Sequence, residues 1–114
     1  MFKLSIRLVF AIFIGFLGFS CSIANEKTDS FKVCGNCDMC KKNIEEAANE
    51  VSGVGKADWN VDSGTMIVYY DSLKTDVHQI QKAIAMAGYD TQLERGDDKA
   101  YQALEHCCQY DRKE

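Results

Sequence analysis

The chain has 114 residues, 46% of them hydrophobic and none of them proline, which allows one small domain and no more. A formal charge of −4 leaves no basic face to neutralise phosphates, so nucleic acid is excluded as a natural partner. The unusual count is six cysteines, placed as Cys21 alone, then Cys34, Cys37 and Cys40, then Cys107 and Cys108.

Residues 1–24 read as an address signal. Lys3 and Arg7 form a basic start, and Leu8 to Phe19 is an almost unbroken apolar run, shorter than the roughly 20 residues a membrane-spanning helix needs. Ser22 and Ala24 give a small-x-small cleavage pattern, so removal after Ala24 is the first reading. The second is acylation of Cys21, because Gly18-Phe19-Ser20-Cys21 is similar to a lipoprotein signal with its leucine one position early, at Leu17. Either way the protein is expected to be exported, to the periplasm of a bacterium, with no membrane span in the mature chain and a lipid anchor at Cys21 as the variant form. Cleavage after Ala24 leaves five cysteines. An odd number in an oxidising compartment leaves a thiol without an internal partner, which suits a metal site or a redox partner better than a disulfide scaffold.

Residues 25–30 are polar and are expected to be a flexible lead-in. Phe31-Lys32-Val33 alternates as a short strand. Cys40, Ile44, Ala47, Ala48 and Val51 follow the spacing of one buried helix face over 38–52, with Lys41, Lys42, Glu45, Glu46 and Glu50 on the solvated side. Ala57, Trp59 and Val61 alternate as a strand, as do Met66, Val68 and Tyr70, with Asp62-Ser63-Gly64 as the turn between them. A second helix is expected from a Thr75 N-cap to Ala87, ended by Gly88, with Val77, Ile80, Ile84 and Ala87 as its stripe and His78 on its solvated side. Tyr89 to Leu93 is expected to be a last strand. The order β-α-β-β-α-β is an α+β, ferredoxin-like sandwich: a four-stranded antiparallel sheet with two helices on one face. This domain is assigned to residues 31–93. Residues 94–114 form a charged linker and a short helical tail with frayed last residues, separable from the domain without loss of its fold.

Cys37-Asp38-Met39-Cys40 places two thiols where the first strand meets the first helix. The helix N-terminus favours the thiolate form, and paired thiolates suit soft ions such as Cu(I), Hg(II), Zn(II) or Cd(II). With Gly53-Val54, Val68-Tyr69-Tyr70-Asp71 and Ala87-Gly88-Tyr89-Asp90 in order behind it, this motif makes residues 31–93 resemble the heavy-metal-associated domain family, which includes copper chaperones, metal-pump N-terminal domains and periplasmic mercury-binding proteins. The resemblance implies that Cys37 and Cys40 bind the metal, that Tyr89 shields the metal loop, and that the partners are the metal ion and a membrane metal transporter or pump. The implied role is a metal carrier, chaperone or scavenger in heavy-metal transport or resistance.

Two departures from the family pattern carry further expectations. The family's loop methionine is Gly35 here, which predicts a looser loop. Cys34 makes the run Cys-x-x-Cys-x-x-Cys, so Cys34 is either a third ligand of a trigonal site or a buried or disulfide-bonded residue. His106, Cys107 and Cys108 are either auxiliary metal ligands or partners in disulfides to the upstream cluster. No nucleophile elbow or phosphate loop is present, so no catalytic residue is assigned and the protein is not expected to be an enzyme. The competing function is thiol-disulfide exchange at Cys37 and Cys40, with Cys107 and Cys108 resolving. It lacks the cis-proline that thioredoxin-like proteins set beside their Cys-x-x-Cys.

Overall fold

The computed structural model describes residues 25–112; the expected export signal and the alternative of acylation at Cys21 lie outside the described residues. Strand β1 spans Glu26–Lys32, helix α1 Asp38–Asn49, β2 Val54–Trp59, β3 Thr65–Asp71, helix α2 Val77–Met86 and helix α3 Asp98–Gln102, followed by a 3-10 turn at His106–Cys108. The sheet order is β1-β3-β2, with both pairs antiparallel. Phe31, Trp59, Met66 and Val68 form one buried face, against which Cys40, Ile44 and Ala48 of α1 and Ile80 and Ile84 of α2 pack. Each of those helices buries residues four apart, the spacing that puts side chains on one face.

Four expectations are corrected. The lead-in 25–30 is not flexible, because Glu26 to Ser30 form most of β1. Their polar side chains hide the strand, whose backbone is nonetheless paired with β3 from Glu26↔Asp71 to Lys32↔Thr65, and Asp29 accepts a hydrogen bond from the Tyr70 hydroxyl at 2.5 Å. The fourth strand is reduced to a single bridge, Val33↔Thr91, so the sheet has three strands. Beyond it, Thr91 and Glu94 turn the chain by bonding to one another (Thr91 N–H to Glu94 O at 2.7 Å, Glu94 N–H to Thr91 Oγ1 at 2.9 Å), and Leu93 N–H donates to the buried Gln81 Oε1. Gln92 N–H still donates to Lys32 O at 3.0 Å, but the Leu93 and Glu94 amides that would extend the ladder are engaged elsewhere. The N-cap of α2 is Asp76, not Thr75, with its carboxylate accepting from Gln79 N–H.

The fourth correction concerns the tail, which is part of the core. Cys108 and Tyr110 are buried in the main cluster, and Tyr101 and Leu104 pack against it. The Tyr110 hydroxyl donates to Gly88 O at 2.9 Å and accepts from Asp90 N–H at 2.7 Å, while the Tyr101 hydroxyl donates to Tyr110 O. Gly88 has φ +104°, and a Cβ there would meet Tyr101 N at 2.8 Å, so only glycine permits both the helix end and the approach of α3. Arg112 is not frayed. Its guanidinium bonds Asp90 and Asp98 at 2.7 Å each and lies over the Tyr101 ring. The packed unit therefore runs past residues 31–93 at both ends, and the tail is packed into it.

Candidate functional site

Cys37 is the N-cap residue of α1, in an extended conformation. Cys40 lies in the first turn and is fully buried. The two Sγ atoms are 3.5 Å apart, and Asn36 N–H points at Cys40 Sγ from 3.4 Å. The tail brings two more sulfurs to the same place. Cys37 Sγ is 3.6 Å from Cys107 Sγ and 3.7 Å from Cys108 Sγ. Cys37, Cys40 and Cys108 form a group whose sulfurs all lie within 4.8 Å of one another. These separations are far longer than the roughly 2.05 Å of a disulfide; the four are thiols.

The third member of this group is Cys108, not Cys34. Cys34 is exposed on the strand side of the loop, where its amide bonds Asp90 O. Cys107 lies on the outer rim, exposed, with Met39 Sδ 3.9 Å from its sulfur. His106 is exposed and outside the group of three. His78 is also exposed and meets Glu94 at 2.6 Å. Tyr89 lies fully buried beneath the thiols, with its hydroxyl accepting from Asn43 Nδ2 at 3.0 Å and its ring stacked on Tyr110.

The loop is not loose. Trp59 is fully buried and donates from its indole N–H to Val33 O at 3.1 Å. A Cβ at Gly35 would stand 2.9 Å from Trp59 Cη2 and 3.2 Å from Cys40 Cβ. The sheet's indole thus occupies the space beside the loop, and glycine is what lets the loop lie against it. Gly35→Ala should overpack this contact and cost about 1–3 kcal/mol; urea unfolding measures it, and adding Trp59→Phe should recover part of the loss. An unchanged midpoint in Gly35→Ala would show that the contact yields freely.

Two positioning residues escape a reading by periodicity. Lys41, on the expected solvent face, bonds Glu45, Asp58 and the Trp59 carbonyl at 2.7, 2.9 and 2.7 Å. Glu45 in turn accepts from Trp59 N–H at 2.9 Å. Together they tie the N-terminal half of α1 to the end of β2. Exposed Met39 is the other, since nothing in its spacing marks it as a neighbour of Cys107.

The electrostatics separate the thiols. Hydrogen bonding lowers the Cys37 thiol from 9.0 to about 7, the Cys40 backbone amide contributing most and the neighbouring thiols adding to it. Burial pushes the Cys108 thiol well above its ordinary range, and its bond to Cys37 raises Cys107. Because folding favours the Cys37 thiolate, its contribution to stability is complete above pH 9 and disappears as the pH falls through about 7. Alkylation of Cys37 followed by mass spectrometry should accordingly show a midpoint near pH 7 in the metal-free protein. A midpoint at the ordinary thiol value would contradict this environment.

The model of the heavy-metal-associated domain matches residues 34–90. The chain belongs to that family. It is 42% identical over 55 residues to the "Copper chaperone CopZ" of Staphylococcus aureus, covering 48% of this chain and 81% of that protein. Among solved structures, oxidized MerP from Ralstonia metallidurans CH34 superposes with a TM-score of 0.56 at 31% identity, covering 61% of this chain and 99% of that one. The water-soluble region of the P-type ATPase CopA from Bacillus subtilis does so with 0.57 at 30% identity, over 61% and 47% respectively. All of these matches fall short of the whole of this chain. The family assignment covers Cys34, Cys37, Cys40 and Tyr89 but stops before Cys107 and Cys108, so the tail thiols are an addition to the family's domain.

Proposed function

We propose that this protein is an exported carrier of a soft metal ion, which it captures at Cys37 and Cys40 outside the cytoplasmic membrane and passes by thiolate exchange to a membrane metal transporter or pump. The observation that carries this reading is the pair of sulfurs 3.5 Å apart at the start of α1, one thiol poised to ionise near neutral pH and the other fixed in the core. Such a pair is a soft donor set, suited to Cu(I), Hg(II), Zn(II) or Cd(II). Similarity to a copper chaperone and to part of a P-type ATPase favours copper as cargo and a pump as acceptor. Export rests on the basic start and apolar run of residues 1–24.

Equilibrium dialysis of the reduced chain against Cu(I), Hg(II) and Zn(II) tests the cargo, with one soft ion retained per chain as the expected result. Retention of none of them overturns the proposal. Fractionation of expressing cells tests export, and a full-length product with an intact start in the cytosol would count against it. The low pKa of Cys37 also favours thiol-disulfide exchange as a second reading. Reaction with oxidised glutathione, read as a mass shift that metal loading does not suppress, would support that reading instead.

A further inference from the structure

We infer that the ion is held by three thiolates, with Cys108 of the tail completing the pair Cys37 and Cys40. This assignment rests on the soft-ion reading above and specifies its donor set. The first ground is distance. With metal–sulfur bonds of about 2.3 Å, a trigonal site places its sulfurs about 4 Å apart and a linear two-sulfur site about 4.6 Å apart. The Cys37 sulfur is 3.5 Å from that of Cys40 and 3.7 Å from that of Cys108, and all three lie within 4.8 Å of one another. The two sides of the trio at Cys37 reach trigonal spacing with adjustments of a few tenths of an ångström, and the third side, from Cys40 to Cys108, lies within 4.8 Å. The pair alone must open by about 1 Å to hold an ion in line.

The second ground is that the third sulfur is held in place by contacts that involve no metal. Two residues after Cys108, Tyr110 is bonded through its hydroxyl to Gly88 and Asp90 and through its carbonyl to Tyr101, and Arg112 grips Asp90 and Asp98. Before it, Cys108 N–H bonds Glu105 O at 2.8 Å. A ligand already ordered by the fold adds its full binding strength, because no chain entropy is lost when the ion arrives. Cys108 is buried, which fits a small apolar residue equally well, but its sulfur faces two other sulfurs instead of hydrocarbon alone.

Binding forms three metal–sulfur bonds, releases to water the protons of those thiols still protonated and leaves the ion's oxidation state unchanged. Cys107, on the rim beside Met39, stays outside the resident set. The ion class is a soft cation that accepts three thiolates, Cu(I) or Hg(II) before any hard ion.

The test is X-ray absorption at the metal edge of the full, reduced chain loaded with one equivalent of Cu(I), and in a parallel arm of Hg(II). Three sulfur neighbours are expected in the unsubstituted protein and in Cys107→Ala, and two in Cys108→Ala. Against a thiol competitor, Cys108→Ala should bind roughly 10²-fold more weakly, the loss expected when an intramolecular contact is removed. If circular dichroism shows that Cys108→Ala has lost its fold, the count in the unsubstituted chain decides alone. Two sulfurs there, with the ion still tightly held, overturn the third ligand and leave the carrier reading standing; failure to bind either ion overturns both.

Discussion

Replacing Cys37 and Cys40 together by alanine should abolish retention of Cu(I) and Hg(II) in equilibrium dialysis while leaving the fold in place. Of the three thiolates inferred to hold the ion only Cys108 would remain, and one of the three cannot hold a soft ion against the thiols and amines that compete for it, since such sites draw their strength from several soft donors acting on one ion. The fold should survive because most of the core, including Phe31, Ile44, Trp59, Met66, Val68, Ile80 and Ile84, carries no ligand, and Cys40→Ala removes only one small sulfur from it. This differs from a zinc finger, which is unfolded without its ion. The same reasoning predicts that the unsubstituted chain stays folded in chelator, with the circular dichroism of the loaded form. Unchanged affinity in the double variant would remove the central claim about the site.

The second large effect is expected just beyond the tail thiols, at Tyr110. Its ring is buried against Tyr89 and Tyr101, and its hydroxyl bonds Gly88 and Asp90. Tyr110→Ala removes an aromatic side chain from the core, a change that costs about 3–5 kcal/mol in a domain whose total stability is on the order of 5–15 kcal/mol. The melting temperature should fall by roughly 12 °C or more, and the tail thiols should become reactive to alkylation at moderate denaturant. Tyr110→Phe keeps the ring and loses only the two hydrogen bonds, so it should cost about 1–3 kcal/mol. Equal, negligible effects of the two substitutions on thermal unfolding would mean that the tail does not pack as described.

What could be read from the residues divides along physical lines. Helix α1 announces itself because its buried residues recur at Cys40, Ile44 and Ala48, and β3 because Met66, Val68 and Tyr70 alternate. Strand β1 is silent: five of its seven residues are polar or charged before Phe31, and it exists because β3 offers it a ladder, a partner that no local window contains. The Cys37–Cys40 thiol pair is legible because its spacing is itself local. The place of Cys108 beside it is not, since Cys37 and Cys108 are brought together by Tyr110 and Arg112 closing onto Gly88 and Asp90, contacts about 20 residues apart in sequence. Lys41 was hidden by its charge, which is the usual mark of a solvated position yet here joins α1 to the end of β2. Gly35 misleads in the opposite direction. Losing a loop side chain suggests slack, but the indole across from it takes up the room.

That indole has a practical consequence. Trp59 is the only tryptophan in the chain, and it lies beside Gly35, with its N–H fixed to Val33 O. Its emission therefore reports on the loop that carries the thiols, without any label. Because the ring is wholly buried, the emission of the folded protein should be blue-shifted. A heavy ion such as Hg(II) arriving within a few bonds of Cys40 should quench it through spin–orbit coupling, in proportion to occupancy. A simple titration in a fluorimeter can then follow both the filling of the site and its emptying into an acceptor, on the time scale of the transfer itself.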